Sequence, residues 1–196
     1  TNGAKTNRAD DVFLINGIPV ALVECKSARK HNAMEEALSQ VRRYHKETPE
    51  MVTASQVFDV SHLIEFFYGV TWNLDRKNIF PWKPPEKSSY EAKVKAFFAP
   101  RHILDMLKDW ILFYVKDDEL QKTVLRQHQA RTARKVVARC ADAAKKTGLV
   151  WHTQGSGKTF TMITAARLIL ERPDAFEKAT VLLVIDRNEL EGQLMG

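Results

Sequence analysis

Two apolar runs of strand character open the readable pattern of this chain. Val12-Phe13-Leu14-Ile15 and Ile18 to Glu24 flank Asn16-Gly17, the dipeptide that most readily supplies the two left-handed residues of a tight hairpin turn. From about Asn32 to His45 the apolar positions change to helical spacing, and Asn32 with Glu35 three residues on has the form of a capping box. The pattern weakens beyond Thr48, and Phe80 to Ser89, with Pro81, Pro84 and Pro85, reads as an irregular connection and a domain boundary. Beyond it Leu104, Leu107, Trp110, Ile111 and Tyr114 recur at helical spacing, and Lys122 to Lys146 reads as a second long helix. The aromatic members of the first stripe are read as core packing. Gly148 to Trp151 predicts a short buried strand, Thr159 to Leu170 a helix, and Thr180 to Ile185 a near-continuous apolar strand of the kind found in parallel sheets covered on both faces. The expected class is α/β.

Composition changes this picture little. A chain of 196 residues with 44% hydrophobic and 28% charged residues is ordinary for a globular protein. No apolar run approaches the roughly 20 residues of a membrane span, so no membrane partner is expected. The net charge of +6 favours a polyanionic partner such as nucleic acid. Cys25 and Cys140 have no metal-binding spacing and read as reduced thiols of a cytoplasmic protein. The start at Thr1 and the end at Gly196 read as those of a piece of something larger.

The strongest chemical signal is Trp151-His152-Thr153-Gln154-Gly155-Ser156-Gly157-Lys158-Thr159, set between a predicted strand and a predicted helix. That is the context of a phosphate-binding loop. Small residues let successive N–H groups curl around anionic oxygens, and the positive end of the following helix adds to the attraction. Lys158 is expected on the β- and γ-phosphates of ATP, and the Thr159 hydroxyl on Mg²⁺. His152 stands where the full pattern begins with glycine.

A second constellation lies on the hairpin. Glu24 and Lys26 are two apart on a strand and share a face, while Cys25 points to the other. Phosphodiester cleavage at a metal site needs hard oxygen ligands for Mg²⁺ and a cation near the attacking water, and Asp, Glu and Lys are such a set. An ideal two-residue hairpin places Asp11 on the Glu24 face; a one-residue bulge brings Asp10 opposite Glu24 instead. Geometry alone leaves that choice open.

Arg8-Ala9-Asp10 followed by an apolar strand, Asn16-Gly17-Ile18-Pro19, a second apolar strand and Glu24-Cys25-Lys26 resembles the nuclease core of the motor (restriction) subunit of type I restriction-modification enzymes. Ala9 replaces the usual proline of that pattern. The resemblance implies that Asp10 is the catalytic aspartate, with Asp11 in reserve, and that Gln40 and Tyr44 match the family's Q-x-x-x-Y helix motif. It extends to the phosphate loop and to Gln127-His128-Gln129-Ala130, where Gln129 is expected at the adenine edge. The strand from Val181 to Ile185 with Asp186 to Leu194 is similar to the family's next motor motif, near the DNA track. Asp186 is not the Mg²⁺-holding acid, since Arg187 and Asn188 follow it in place of Glu-x-His. Arg131, Lys135 and Arg139 on one helical stripe read as a solvated face.

The fold implied is the C-terminal part of a PD-(D/E)xK nuclease domain (1–90), a helical connection (91–118), and the N-terminal part of a RecA-like ATPase domain (119–196). The expected catalytic residues are Asp10, Glu24, Lys26, Gln40 and Tyr44. Metal ligands are Asp10, Glu24 and Thr159, and the ATP contacts Gln129, Thr153, Gln154, Gly155, Ser156, Gly157, Lys158 and Thr159. The implied function is ATP-driven translocation on double-stranded DNA with Mg²⁺-dependent cleavage, alongside modification (methyltransferase) and specificity subunits in a prokaryotic cytoplasm. A helicase-nuclease without a methylation partner and a non-catalytic DNA- and nucleotide-binding scaffold are the alternatives.

Overall fold

A computed structural model describes residues 6–27, 29, 31–62, 65–83, 89–145 and 147–184, in a mixed α/β arrangement. Two compact units divide it: Thr1–Phe113 with Gln121–Val124, and Tyr114–Leu120 with Leu125–Gly196.

The first unit is built on a five-stranded sheet of order β1-β2-β3-β4-β5. Strands β1 (Asp11–Ile15) and β2 (Ile18–Lys26) form the expected hairpin. Asn16 and Gly17 take positive φ angles of 51° and 83°, the backbone of a tight turn that matches strand twist. Helices α1 (Ala33–Glu47) and α2 (Pro49–Thr53) then carry the chain to β3 (Val57–His62), parallel to β2, and β4 (Glu65–Val70) and β5 (Phe80–Pro81) follow antiparallel. Asn32 occupies the cap position of α1 without a side-chain cap bond, so the expected capping box is not formed.

Alternation along the strands sorts the core into two layers. Leu22, Phe58 and Val60 face α1 and bury Ala37, Leu38, Val41 and Tyr44; each fully buried apolar side chain of this size contributes roughly 1.5–3 kcal/mol. On the opposite face Phe66 and Tyr68 meet Phe97, and Tyr68 also meets Trp82. Phe97 ends α3 (Tyr90–Phe97), and α4 (Pro100–Asp105) continues through a wider turn to Trp110. Residues expected as a connection thus belong to the first unit through Phe113.

Two helix expectations are corrected. The run of Ile111, Leu112, Phe113, Tyr114 and Val115 forms strand β6 (Ile111–Lys116), paired with β7 (Glu119–Val124). Consecutive β-branched and aromatic residues favour the pleated surface, and Asp117 and Asp118, with φ of 53° and 59°, close the hairpin. The long helix predicted from Lys122 begins only at Gln127, as α5 (Gln127–Ala141). Lys122 itself is buried, donates to Gln56 Oε1 at 2.8 Å and lies against the Trp72 and Phe113 rings; burial brings its pKa down to about 8.

In the second unit α5 packs on α6 (Lys158–Leu170) through Ala133, Val137, Ala165 and Leu168, and a short α7 (Pro173–Phe176) follows. The predicted strand Gly148–Trp151 is not formed, and 180–184 has no regular structure. Leu149, Trp151, Leu182 and Val184 are each more than four-fifths exposed. Strand backbone needs a hydrogen-bonding neighbour, and among the described residues no strand lies beside either run. Ile185 and the motif from Asp186 to Leu194 lie outside the described residues.

Asp59, in the middle of β3, is fully buried, and neither carboxyl oxygen has a hydrogen-bond partner among the described residues. Burial holds its pKa well above the ordinary carboxylate value. A group that binds its proton more tightly when folded withdraws stability as pH rises from its unfolded pKa, about 3.9, toward its folded one. Chemical denaturation across a pH series is expected to show stability falling through that window, and Asp59→Asn is expected to make the slope shallower.

Candidate functional site

In the first unit the hairpin register decides which acid faces Glu24. Ile15 pairs with Ile18, but Asp11 pairs with Val23, because the register shifts between Phe13 and Leu14 and leaves Val20 as the additional residue of β2. Continuing the shifted register by one residue sets Asp10 opposite Glu24, whereas Asp11 lies beside Val23, which faces the other way. Asp10 Oδ2 accepts the Cys25 N–H at 2.8 Å, and its side chain is otherwise exposed.

Glu24 is fully buried. A buried carboxylate is tolerated only with close partners, and both oxygens have one: Lys26 Nζ donates to Oε2 at 3.0 Å, and the Tyr44 hydroxyl lies 2.6 Å from Oε1. Gln40 closes the circuit. Its Oε1 accepts from Lys26 Nζ at 2.6 Å, and its Nε2 donates to the Tyr44 hydroxyl at 2.6 Å. Glu24, Lys26, Gln40 and Tyr44 therefore form a closed ring between β2 and one face of α1, where a spacing of four residues stacks Gln40 below Tyr44. The Tyr44 hydroxyl also reaches the Arg8 carbonyl at 2.7 Å, two residues before Asp10.

Desolvation is the largest influence on Glu24 and raises its pKa. The bonds from Tyr44 and Lys26 oppose that rise, and the nearby Asp10 charge adds to it. Burial, followed by the Glu24 bond, raises the pKa of Tyr44, which stays a neutral phenol. Among the described residues no three His, Cys, Asp or Glu side chains form a metal cage; Asp10 and Glu24 are a pair of carboxylates with Lys26 beside them.

In the second unit the loop from Thr153 to Gly157 leads directly into α6. Gly155 and Gly157 have φ of 72° and 75°, angles that favour glycine. No side chain caps α6, so its first N–H groups face the loop. Thr153, Gln154 and Gly155 are exposed, Ser156 is buried, and Thr159 lies half-buried in the first helical turn. Lys158 Nζ turns back to the carbonyls of His152 and Thr153, at 3.0 and 3.1 Å.

Gln129 is buried behind this loop, with both ends of its amide engaged. Oε1 accepts the Arg126 N–H at 2.7 Å, and Nε2 donates to the carbonyls of Ser156 at 3.0 Å and Gly157 at 2.9 Å. A Cβ at Gly157 would collide with that Nε2. His128, which sequence reading did not single out, also reaches the Ser156 carbonyl, at 3.2 Å, and packs edge-on against His152. His152 contacts Thr132 Oγ1 at 3.1 Å; burial, with the charges of His128 and Lys158, lowers its pKa. The signal was present in the His at the loop's first position, but its partner lies on another helix.

Comparison with known proteins finds two families along the chain. Residues 1–73 match the family of the type I restriction enzyme R protein N terminus, and residues 128–196 match the SWI2/SNF2 ATPase family. The chain is similar to the putative type I restriction enzyme MjaVIIP endonuclease subunit of Methanocaldococcus jannaschii, with 33% identity over 207 residues, covering 96% of this chain and 19% of that protein. It is 27% identical over 204 residues to the type I restriction enzyme HindI endonuclease subunit of Haemophilus influenzae, covering 94% of this chain and 19% of the relative. The SsaAORF53P endonuclease subunit of Staphylococcus saprophyticus is 27% identical over 192 residues, covering 95% and 20%. The chain thus spans about a fifth of the length of the curated relatives it matches.

Two substitutions test these geometries. Tyr44→Phe leaves the Arg8 carbonyl, Gln40 Nε2 and Glu24 Oε1 without their common partner; loss of about 1–3 kcal/mol is expected in chemical denaturation of the first unit. Gly157→Ala forces Gln129 off the loop carbonyls and is expected to lower nucleotide affinity at least about tenfold in a fluorescent-nucleotide titration, since a side chain there meets both steric and backbone strain.

Proposed function

We propose, for a chain homologous over most of its length to the endonuclease subunits of type I restriction enzymes, that it holds the DNA-cleaving site and the ATP-binding loop of a restriction subunit. The first unit is the C-terminal part of a PD-(D/E)xK nuclease, and the second begins a RecA-like motor. The whole protein would draw double-stranded DNA past itself with ATP and cleave it at a Mg²⁺ site, with methyltransferase and specificity subunits choosing the target.

The closed ring of Glu24, Lys26, Gln40 and Tyr44, with Asp10 opposite Glu24, is the observation that carries this reading. The donor set fits Mg²⁺, which keeps several waters and takes one or two carboxylates from the protein. Asp10 offers an exposed carboxylate, and each Glu24 oxygen retains acceptor capacity beyond its present bond. Bound there, the ion would polarise the scissile phosphate and the water that attacks it. Lys26, held by Glu24 and Gln40, places its ammonium where it orients the water and offsets charge growing on the phosphate oxygens. In the hydrolysis the water oxygen bonds to phosphorus as the ester P–O bond breaks. Gln40 and Tyr44 fix the lysine and the carboxylate rather than meeting the phosphate themselves.

At the loop, Lys158 leaves two carbonyls for the β- and γ-phosphates of ATP, and the first N–H groups of α6 receive the phosphate oxygens. Thr159 stands in that first turn and would offer its hydroxyl to the Mg²⁺ of the nucleotide. Thr153, Gln154, Gly155, Ser156 and Gly157 supply the backbone of the cradle. Gln129 links loop shape to base selection, because contact with an adenine edge requires it to exchange one of its loop bonds for one to the base.

Plasmid cleavage by the full-length protein with its co-purifying subunits is the direct test. Cutting confined to unmethylated DNA and to reactions with ATP is the expected result. Cutting indifferent to methylation would move the protein to the helicase-nucleases, and no cutting without any Mg²⁺ binding would make it a scaffold. Lys26→Ala is expected to lower cleavage by at least about a hundredfold, the scale on which charge-stabilising groups act, with ATP hydrolysis unchanged. Lys158→Ala is expected to remove both.

A further inference from the structure

Residues 6–9, which lead to Asp10, belong to no strand, yet three contacts to the end of α1 hold them. Asn7 Nδ2 donates to Glu47 Oε2 and to Thr48 Oγ1, each at 3.2 Å, and the next residue gives its carbonyl to Tyr44 at 2.7 Å. Ala9 is buried in the α1 core. Two amide hydrogens meet two acceptors, so the donor capacity of Asn7 is fully used. Glu47 is steadied by Arg43 Nε at 4.0 Å, and the buried Thr48 passes its own hydroxyl hydrogen to Met51 Sδ at 3.2 Å. This contrasts with Asp10, whose exposed side chain has a bond to one backbone N–H. An exposed carboxylate on irregular chain keeps a fixed position only if its backbone is fixed, and small displacements of a metal-holding group cost large factors in rate.

We infer that Asn7, Glu47 and Thr48 are positioning residues, a clamp from the C-terminal end of α1 that holds Asp10 in the register opposite Glu24. The inference rests on the proposed role of Asp10 as a metal ligand. It extends the work of α1: its middle, through Gln40 and Tyr44, arranges the carboxylate and lysine of β2, and its end arranges the other acid. On this inference the three act through Asp10 and supply no ligand to the ion.

The test is Mn²⁺ binding to the full-length, nucleotide-free protein, followed by electron paramagnetic resonance, together with the Mg²⁺ dependence of plasmid cleavage. Glu24→Ala defines the signal of the nuclease site. Asn7→Ala is expected to weaken that Mn²⁺ binding about tenfold to hundredfold, the range found when groups that orient metal ligands are removed. The Mg²⁺ concentration for half-maximal cleavage should rise in step, with ATP hydrolysis unchanged. Glu47→Ala should behave alike, while Glu47→Gln, which keeps an acceptor oxygen for Asn7, should stay near wild type. That rescue separates positioning from a general loss of stability. Wild-type Mn²⁺ affinity and Mg²⁺ dependence in Asn7→Ala would overturn the clamp. Asp10→Ala separates the two ideas: if it too leaves Mn²⁺ binding and cleavage intact, the role of Asp10 itself fails, whereas if it abolishes both and Asn7→Ala is silent, only the clamp fails.

Discussion

Burying the carboxylate of Glu24 imposes the demand that the rest of the first unit answers. An ionised group out of water is costly unless hydrogen bonds and an opposite charge surround it. Lys26 supplies the charge from the same strand, but a lysine has more donors than one carboxylate oxygen can use, and Gln40 takes the next. The other oxygen of Glu24 meets Tyr44, whose hydroxyl accepts from Gln40 and shares its one hydrogen between Glu24 and the Arg8 carbonyl. Glu24 and Tyr44 are fully buried and depend on these bonds, and the half-buried Lys26 and Gln40 link them. The helix is thereby fixed on the sheet by polar contacts as well as by the Leu22, Phe58 and Val60 core.

The hairpin's irregularity works against that demand, since it brings a second acid, whose charge raises the pKa of Glu24, to the same face. A regular two-residue hairpin would turn Asp10 away from Glu24 and bring Asp11 to its face. The bulge at Val20 changes that by one residue near the turn and carries the change to the strand's far end. A bulge of this kind re-aims side chains where a site needs them.

The second unit obeys a parallel logic with backbone in place of charge. The Ser156 N–H turns to the Thr153 carbonyl, and the carbonyls of Ser156 and Gly157 need donors of their own. Gln129 and His128 provide them from α5, close enough that residue 157 has no room for a side chain. Lys158 satisfies two further carbonyls. Its ammonium is thereby held beside the loop.

Local chemistry made much of this legible in advance. The Asn16-Gly17 turn, the strands beside it, helix α1, the glycine loop and the helix after it follow from residue preferences over short windows. So does the shared face of Glu24 and Lys26, since alternation is a local rule. The α1 capping box, the helix through Ile111 and Tyr114, and the strands at 148–151 and 180–184 did not follow. Propensity and periodicity alone do not say whether a run such as Ile111 to Val115 packs as helix or strand, and a buried strand exists only where a neighbouring strand pairs with it. Asp10 rather than Asp11 opposite Glu24, the engagement of Gln129 by the loop, and the contact of Asn7 with Glu47 and Thr48 were decided by tertiary structure. Each depends on a register or on groups about thirty or forty residues apart, which alternation and helical periodicity within one segment do not encode.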